Sequence, residues 1–174
     1  MAELLDGLNP WLVAHWRTQL VAGAGEPVYL PSQVDEQPHC IVFAHGYFSS
    51  ALHELAHWSL AGEQRRQLED FGYWYCPDGR TAQQQAEFER VEVKPQALEW
   101  WYSLVCGRSF RISLDNLAGA RTDCRPFQRA VQAQALSWAQ QGLPARPKAL
   151  VDHLSQRFCR PLPNAASFTE LPSA

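Results

Sequence analysis

The run His53-Glu54-Leu55-Ala56-His57 carries the most specific chemical signal in the chain, an H-E-x-x-H spacing. On a helix, residues four apart stand one turn apart on the same face. Two imidazoles placed in this way can bind one metal ion, with Glu54 to one side, near bound solvent. Ser49 and Ser50 offer N-caps for such a helix, which is expected to run through Leu60 and close or bend at Gly62. Without a metal, two half-buried imidazoles each need a hydrogen-bond partner, and a single ion satisfies both.

Two histidines do not complete a site. No H-x-x-G-x-x-H continuation follows, so the third ligand must come from elsewhere. His45 follows a strand and precedes the helix, but a turn histidine bonded to backbone is its expected role. The acidic candidates are Glu87, Glu89, Glu92 and Glu99. Glu92 stands between Val91 and Val93 in an apolar stretch, where a carboxylate is costly to bury unless paired or coordinated. A salt bridge to Lys94 or to an arginine is the bland alternative. The set His53, His57 and Glu92 leaves coordination positions open. With zinc it makes a hydrolase in which Glu54 is the general base. With ferrous iron it is the ligand set of non-haem oxygenases. Ligand identity alone does not choose between them.

The elements that must position these residues can be read from pattern. Trp11, Leu12, Val13, Trp16 and Leu20 predict an amphipathic helix from Pro10 to Val21, with Asn9 as N-cap and Gly23 and Gly25 ending it. Short strands are expected at Val28-Tyr29-Leu30 and at Cys40-Ile41-Val42-Phe43, and a further helix from Glu63 to Asp70. A long helical pattern runs from Thr81 to Val105, with a kink or boundary expected at Pro95 near Glu92. Phe110 to Ser113 reads as strand, and two more helices as Pro126 to Gln141 and Arg146 to Phe158. The class is therefore α+β: a mostly helical single domain over 1–160 with a small sheet and a metallopeptidase-like H-E-x-x-H helix. The tail 161–174, rich in Pro, Ser and Ala, is expected to be poorly ordered.

Composition removes several function classes. Of 174 residues, 46% are hydrophobic and 19% charged, which excludes a disordered chain. A net charge of −3 and scattered basic residues exclude a general nucleic-acid binder. The acidic start predicts no secretory leader, and the apolar run Ala97 to Cys106 is too short to span a bilayer and reads as a buried helix. Five widely spaced cysteines without a C-x-x-C pair fit a reducing compartment and exclude a zinc ribbon. A cytoplasmic protein is expected, without membrane or direct nucleic-acid contact.

Four stretches are familiar together. Ile41-Val42-Phe43-Ala44-His45-Gly46-Tyr47 precedes His53-Glu54 to His57-Trp58. Asp70-Phe71-Gly72-Tyr73-Trp74-Tyr75-Cys76-Pro77-Asp78-Gly79-Arg80 follows, then Val91-Glu92-Val93-Lys94-Pro95-Gln96-Ala97-Leu98. From about residue 27 to about residue 160 the chain resembles the elongation factor P hydroxylase family. The resemblance implies an enzyme that hydroxylates the β-lysylated lysine of translation elongation factor P, as the last step of that modification. It also implies a metal site like that of H-E-x-x-H metallopeptidases, mapping onto His53, His57 and Glu92, and no double-stranded β-helix. Fe(II) is then the expected metal, zinc the alternative, and 2-oxoglutarate is left open. Glu54 is expected to orient a ligand or shuttle a proton. Tyr75 and Asp78, in an aromatic loop with a carboxylate, suit the lysyl ammonium, and Arg80 can clamp a carboxylate. The protein is expected to act as a monomer on elongation factor P. Two other readings are a zinc metallopeptidase-like hydrolase and a metal-stabilised module that binds the factor without turnover.

Overall fold

The computed structural model describes residues 1–72, 79–114 and 123–174. Its described elements make a mostly helical α+β protein with one small sheet, as the patterns predict. Contacts divide the chain into two compact units, Met1–Gly72 and Tyr73–Ala174.

The first unit opens with α1 (Ala2–Trp16), which buries Leu4, Leu8 and Leu12 as a stripe four residues apart. This helix begins earlier than the Pro10 start expected from sequence and contains Pro10 within it. Asn9 is therefore not an N-cap. Its amide instead accepts from Leu20 N at 2.8 Å and donates to Leu20 O at 3.0 Å, tying the helix to the strand that follows. Leu20 and Val21 mimic a helical spacing but belong to β1 (Thr18–Gly23), because Arg17 turns left-handed (φ 48°) and ends the helix. β2 (Val28–Leu30) and β3 (His39–Ala44) complete a sheet in the order β1-β3-β2, with β3 parallel to β1 and antiparallel to β2. Gly23 has to be glycine: a Cβ there would stand 2.5 Å from Val42 Cγ1.

His39, at the start of the central strand, is held neutral by its partners. Its Nδ1 accepts from Ser32 N at 2.8 Å, and its Nε2 stands 3.4 Å from the Arg17 guanidinium. Burial, then the charges of Arg17 and Arg66, hold its imidazole below the ordinary histidine value. A depressed pKa contributes stability that is complete above the unfolded value of about 6.5 and is lost as pH falls through the folded value. His39→Asn, which keeps an acceptor for Ser32, should therefore flatten the fall of the urea midpoint of metal-free protein between about pH 7 and pH 5. An unchanged slope would exclude His39 from the acid response.

After β3, His45 and Gly46 both take positive φ (52° and 68°) and reverse the chain into α2 (Phe48–Leu60). Ser50 does not cap this helix; its Oγ accepts from Ala44 N at 3.0 Å, pinning the strand end to the helix. The helix expected from Glu63 to Asp70 is only a single 3-10 turn at Arg65–Gln67. Asp70 instead pairs with the backbone of Tyr29 at the β2 edge (Tyr29 N→Asp70 O 2.8 Å, Asp70 N→Tyr29 O 3.1 Å). That bridge takes backbone groups the helix would have used.

The second unit is built around α3 (Ala82–Val105). Thr81 starts it with a reciprocal capping box to Gln84. The helix runs on through Pro95 as one 24-residue element. Every residue from Pro95 to Ser103 is buried, so this is the central helix that the apolar run predicts. α4 (Arg125–Gln141) and α5 (Ala145–Arg157) pack against it through Phe127, Val131, Ala135 and Trp138 and through Leu150, Val151 and Leu154. Phe110 to Ser113 forms no strand; Arg111 makes one isolated bridge with Ser173. The tail is ordered, against expectation. Phe168 is fully buried between Trp100 and Trp101, at ring distances of 4.9 and 5.0 Å. No described helix is long and apolar enough to cross a membrane.

Candidate metal centre

Helix α2 turns Ala51, Leu52, Leu55, Ala56 and Ser59 to the interior and packs against β3. The same periodicity leaves His53, Glu54 and His57 half-buried on another flank. His53 and His57 bring their Nε2 atoms to 3.1 Å from one another. Two nitrogens each about 2.0–2.1 Å from a common ion lie roughly 2.9–3.4 Å apart for bond angles of roughly 90–109°. The observed distance therefore fits one ion bound by both rings. It falls between octahedral and tetrahedral geometry and does not choose the metal.

Glu92 lies on α3 and is 2% exposed. Its Oε2 accepts from Gln96 Nε2 at 3.4 Å, within the same helix. Among the described residues, the group able to hold a metal is His53, His57 and Glu92, with one ligand atom from each lying within 4.8 Å of the others. Glu87 is salt-bridged to Arg90 on the surface and Glu89 accepts from Gln85, so neither competes for the role. His45 is exposed beside Tyr47 and takes no part in the group.

The other residues singled out in the sequence stand as follows. Glu54 lines a small recess together with His57, Trp58, Tyr29, Arg66 and Asp70. Asp70 there is ion-paired to Arg65 and accepts from Gly72 N. Tyr75 and Asp78 lie outside the described residues. Arg80 is 3% exposed; it donates to Gln85 Oε1 at 3.0 Å and to Leu114 O at 3.0 Å, and stacks over Phe88 at 4.0 Å. In that setting its guanidinium ties together the start of the second unit. Sequence reasoning passed over Gln96, although its place one turn after Glu92 on the same helix face is a readable signal.

An α+β protein that offers two histidines of an H-E-x-x-H helix and one buried carboxylate to a single ion is a candidate metalloenzyme of the 2-His-1-carboxylate type. Residues 8–168 match the family model described as Elongation factor P hydroxylase. The chain is also 48% identical over 151 residues to the Elongation factor P lysine hydroxylase of Haemophilus influenzae, covering 86% of this chain and 84% of that relative. This chain belongs to the elongation factor P hydroxylase family.

Proposed function

We propose that this protein hydroxylates the β-lysylated lysine of translation elongation factor P, with Fe(II) held by His53, His57 and Glu92. The observation that carries the reading is the 48% identity, over most of both chains, to a relative named for that reaction. The convergence of the three ligand atoms supports it. The catalytic unit includes the tail that buries Phe168 and acts as a monomer in the cytoplasm, without nucleic acid or membrane.

A ferrous ion in this set supplies redox chemistry toward dioxygen at its open positions. The chain's own residues do the rest. His53 and His57 must be neutral to bind, and Glu92 ionised. Glu54, beside His57 in the recess, orients a ligand or moves a proton at its carboxylate. Tyr75, Asp78 and Arg80 are the substrate contacts to be tested.

The test is the intact mass of β-lysylated elongation factor P after aerobic incubation with iron-loaded protein and a reductant. A gain of about one oxygen atom is expected. No gain, with zinc bound and peptides cut in a Glu54-dependent way, would replace this reading by the zinc hydrolase. Tight binding of the factor with no mass change would leave a binding module.

A further inference from the structure

We propose that Gln96 is the positioning residue of the metal centre, anchoring the carboxylate of Glu92 to the backbone of Ser113. The inference rests on the metal reading above. Gln96 is 1% exposed, so each of its polar atoms must find a partner within the protein. Its Oε1 accepts from Ser113 N at 2.9 Å and its Nε2 donates to Ser113 O at 2.8 Å. These two bonds settle which end of the amide is which. A flipped amide would set N–H against N–H and oxygen against oxygen.

With the amide locked, a donor faces Glu92. Gln96 Nε2 stands 3.4 Å from Glu92 Oε2, one helical turn away. A long and flexible glutamate, alone on a helix, would spread over several rotamers. A donor fixed by the backbone of another segment removes that freedom for one oxygen of the carboxylate. This is the arrangement by which an outer partner sets the orientation and basicity of a metal ligand. The clamp also ties ligand geometry to the docking of residues 113–114 on α3.

The same helix carries a built-in control. Gln85 is 2% exposed, donates to Leu114 O at 3.2 Å, and donates to Glu89 Oε1 at 3.1 Å. It clamps the neighbouring backbone carbonyl and holds a glutamate four residues away, but that glutamate is not in the ligand group. A merely structural role for Gln96 predicts that losing either glutamine has the same consequences. A positioning role predicts that they part.

The experiment is anaerobic titration of metal-free protein with Fe(II) in competition with a chelator, run beside thermal unfolding of the metal-free protein. Gln96→Met and Gln85→Met are both expected to lower the melting temperature. Only Gln96→Met is expected to weaken metal affinity, by about 10- to 100-fold. Gln96→Asn, which keeps the amide but is too short to span Ser113 and Glu92 together, serves where the methionine variant does not fold, and the same loss is expected. Wild-type affinity in a folded Gln96 variant overturns the proposal, as does an equal loss in Gln85→Met. Wild-type protein that binds no Fe(II), or binds it as well after His57→Ala, fails the metal reading itself and is told apart from failure of the Gln96 role.

Discussion

Glu92→Gln is expected to abolish lysine hydroxylation while leaving the metal-free fold intact. The amide keeps the volume of the side chain and can still accept from Gln96 Nε2. What it loses is the charge. A carboxylate that is 2% exposed is costly to desolvate, so neutralising it should hold or raise the melting temperature of metal-free protein. Metal binding should move the other way. A ligand is lost outright, so affinity should fall by more than the about 10- to 100-fold expected for an outer partner. Fe(II) titration and the intact mass of elongation factor P read the two effects separately. Full affinity and turnover in this variant would remove Glu92 from the ligand set, whereas a fall in metal-free stability without a fall in affinity would make it a structural carboxylate.

Phe168→Ala is expected to cost about 3–5 kcal/mol of unfolding free energy, a large loss for a residue in a short Pro- and Ser-rich segment. The ring is fully buried and meets Trp100 edge-on and Trp101 at a tilt, both on the central helix. Polar contacts hold the same segment: Gln132 donates to Phe168 O at 2.9 Å, and Gln128 donates to Pro172 O at 2.6 Å. Asn164 caps the short turn Ala165–Phe168 from its own side chain. Urea unfolding of the variant measures the cost. A value below about 1 kcal/mol would mean that the tail adds little to the core.

That segment shows where composition misleads. Pro, Ser and Ala between Arg160 and Ala174 read as a solvated tail, and one phenylalanine is too weak a signal to outweigh them. Its burial depends on a groove between Trp100, Trp101 and α4 that exists only once the helices have packed. The N-terminal helix failed for a related reason. Leu20 sits at helical spacing from Trp16 and Leu12, yet strand pairing with Ile41 takes it, and the left-handed turn at Arg17 leaves no trace in a hydrophobic period. By contrast β2, β3, the H-E-x-x-H helix, the long α3 and the two later helices were legible almost to their ends. Each is punctuated by local chemistry, such as the Thr81 cap or Gly142 after α4.

For the site, sequence alone determined the residue types. Two histidines four apart on one helix must share a flank, because 3.6 residues make a turn. It also singled out Glu92 by its apolar neighbours, and the familiar stretches implied the family. What it could not supply was distance. That the two Nε2 atoms stand 3.1 Å apart is set by side-chain rotamers within one helical turn, whereas the bond from Gln96 to Ser113, 17 residues away, is a product of long-range packing. A helix fixes the angle between its own side chains within a few residues, but only tertiary structure, through contacts far apart in sequence, decides which carboxylate meets them and what holds it there.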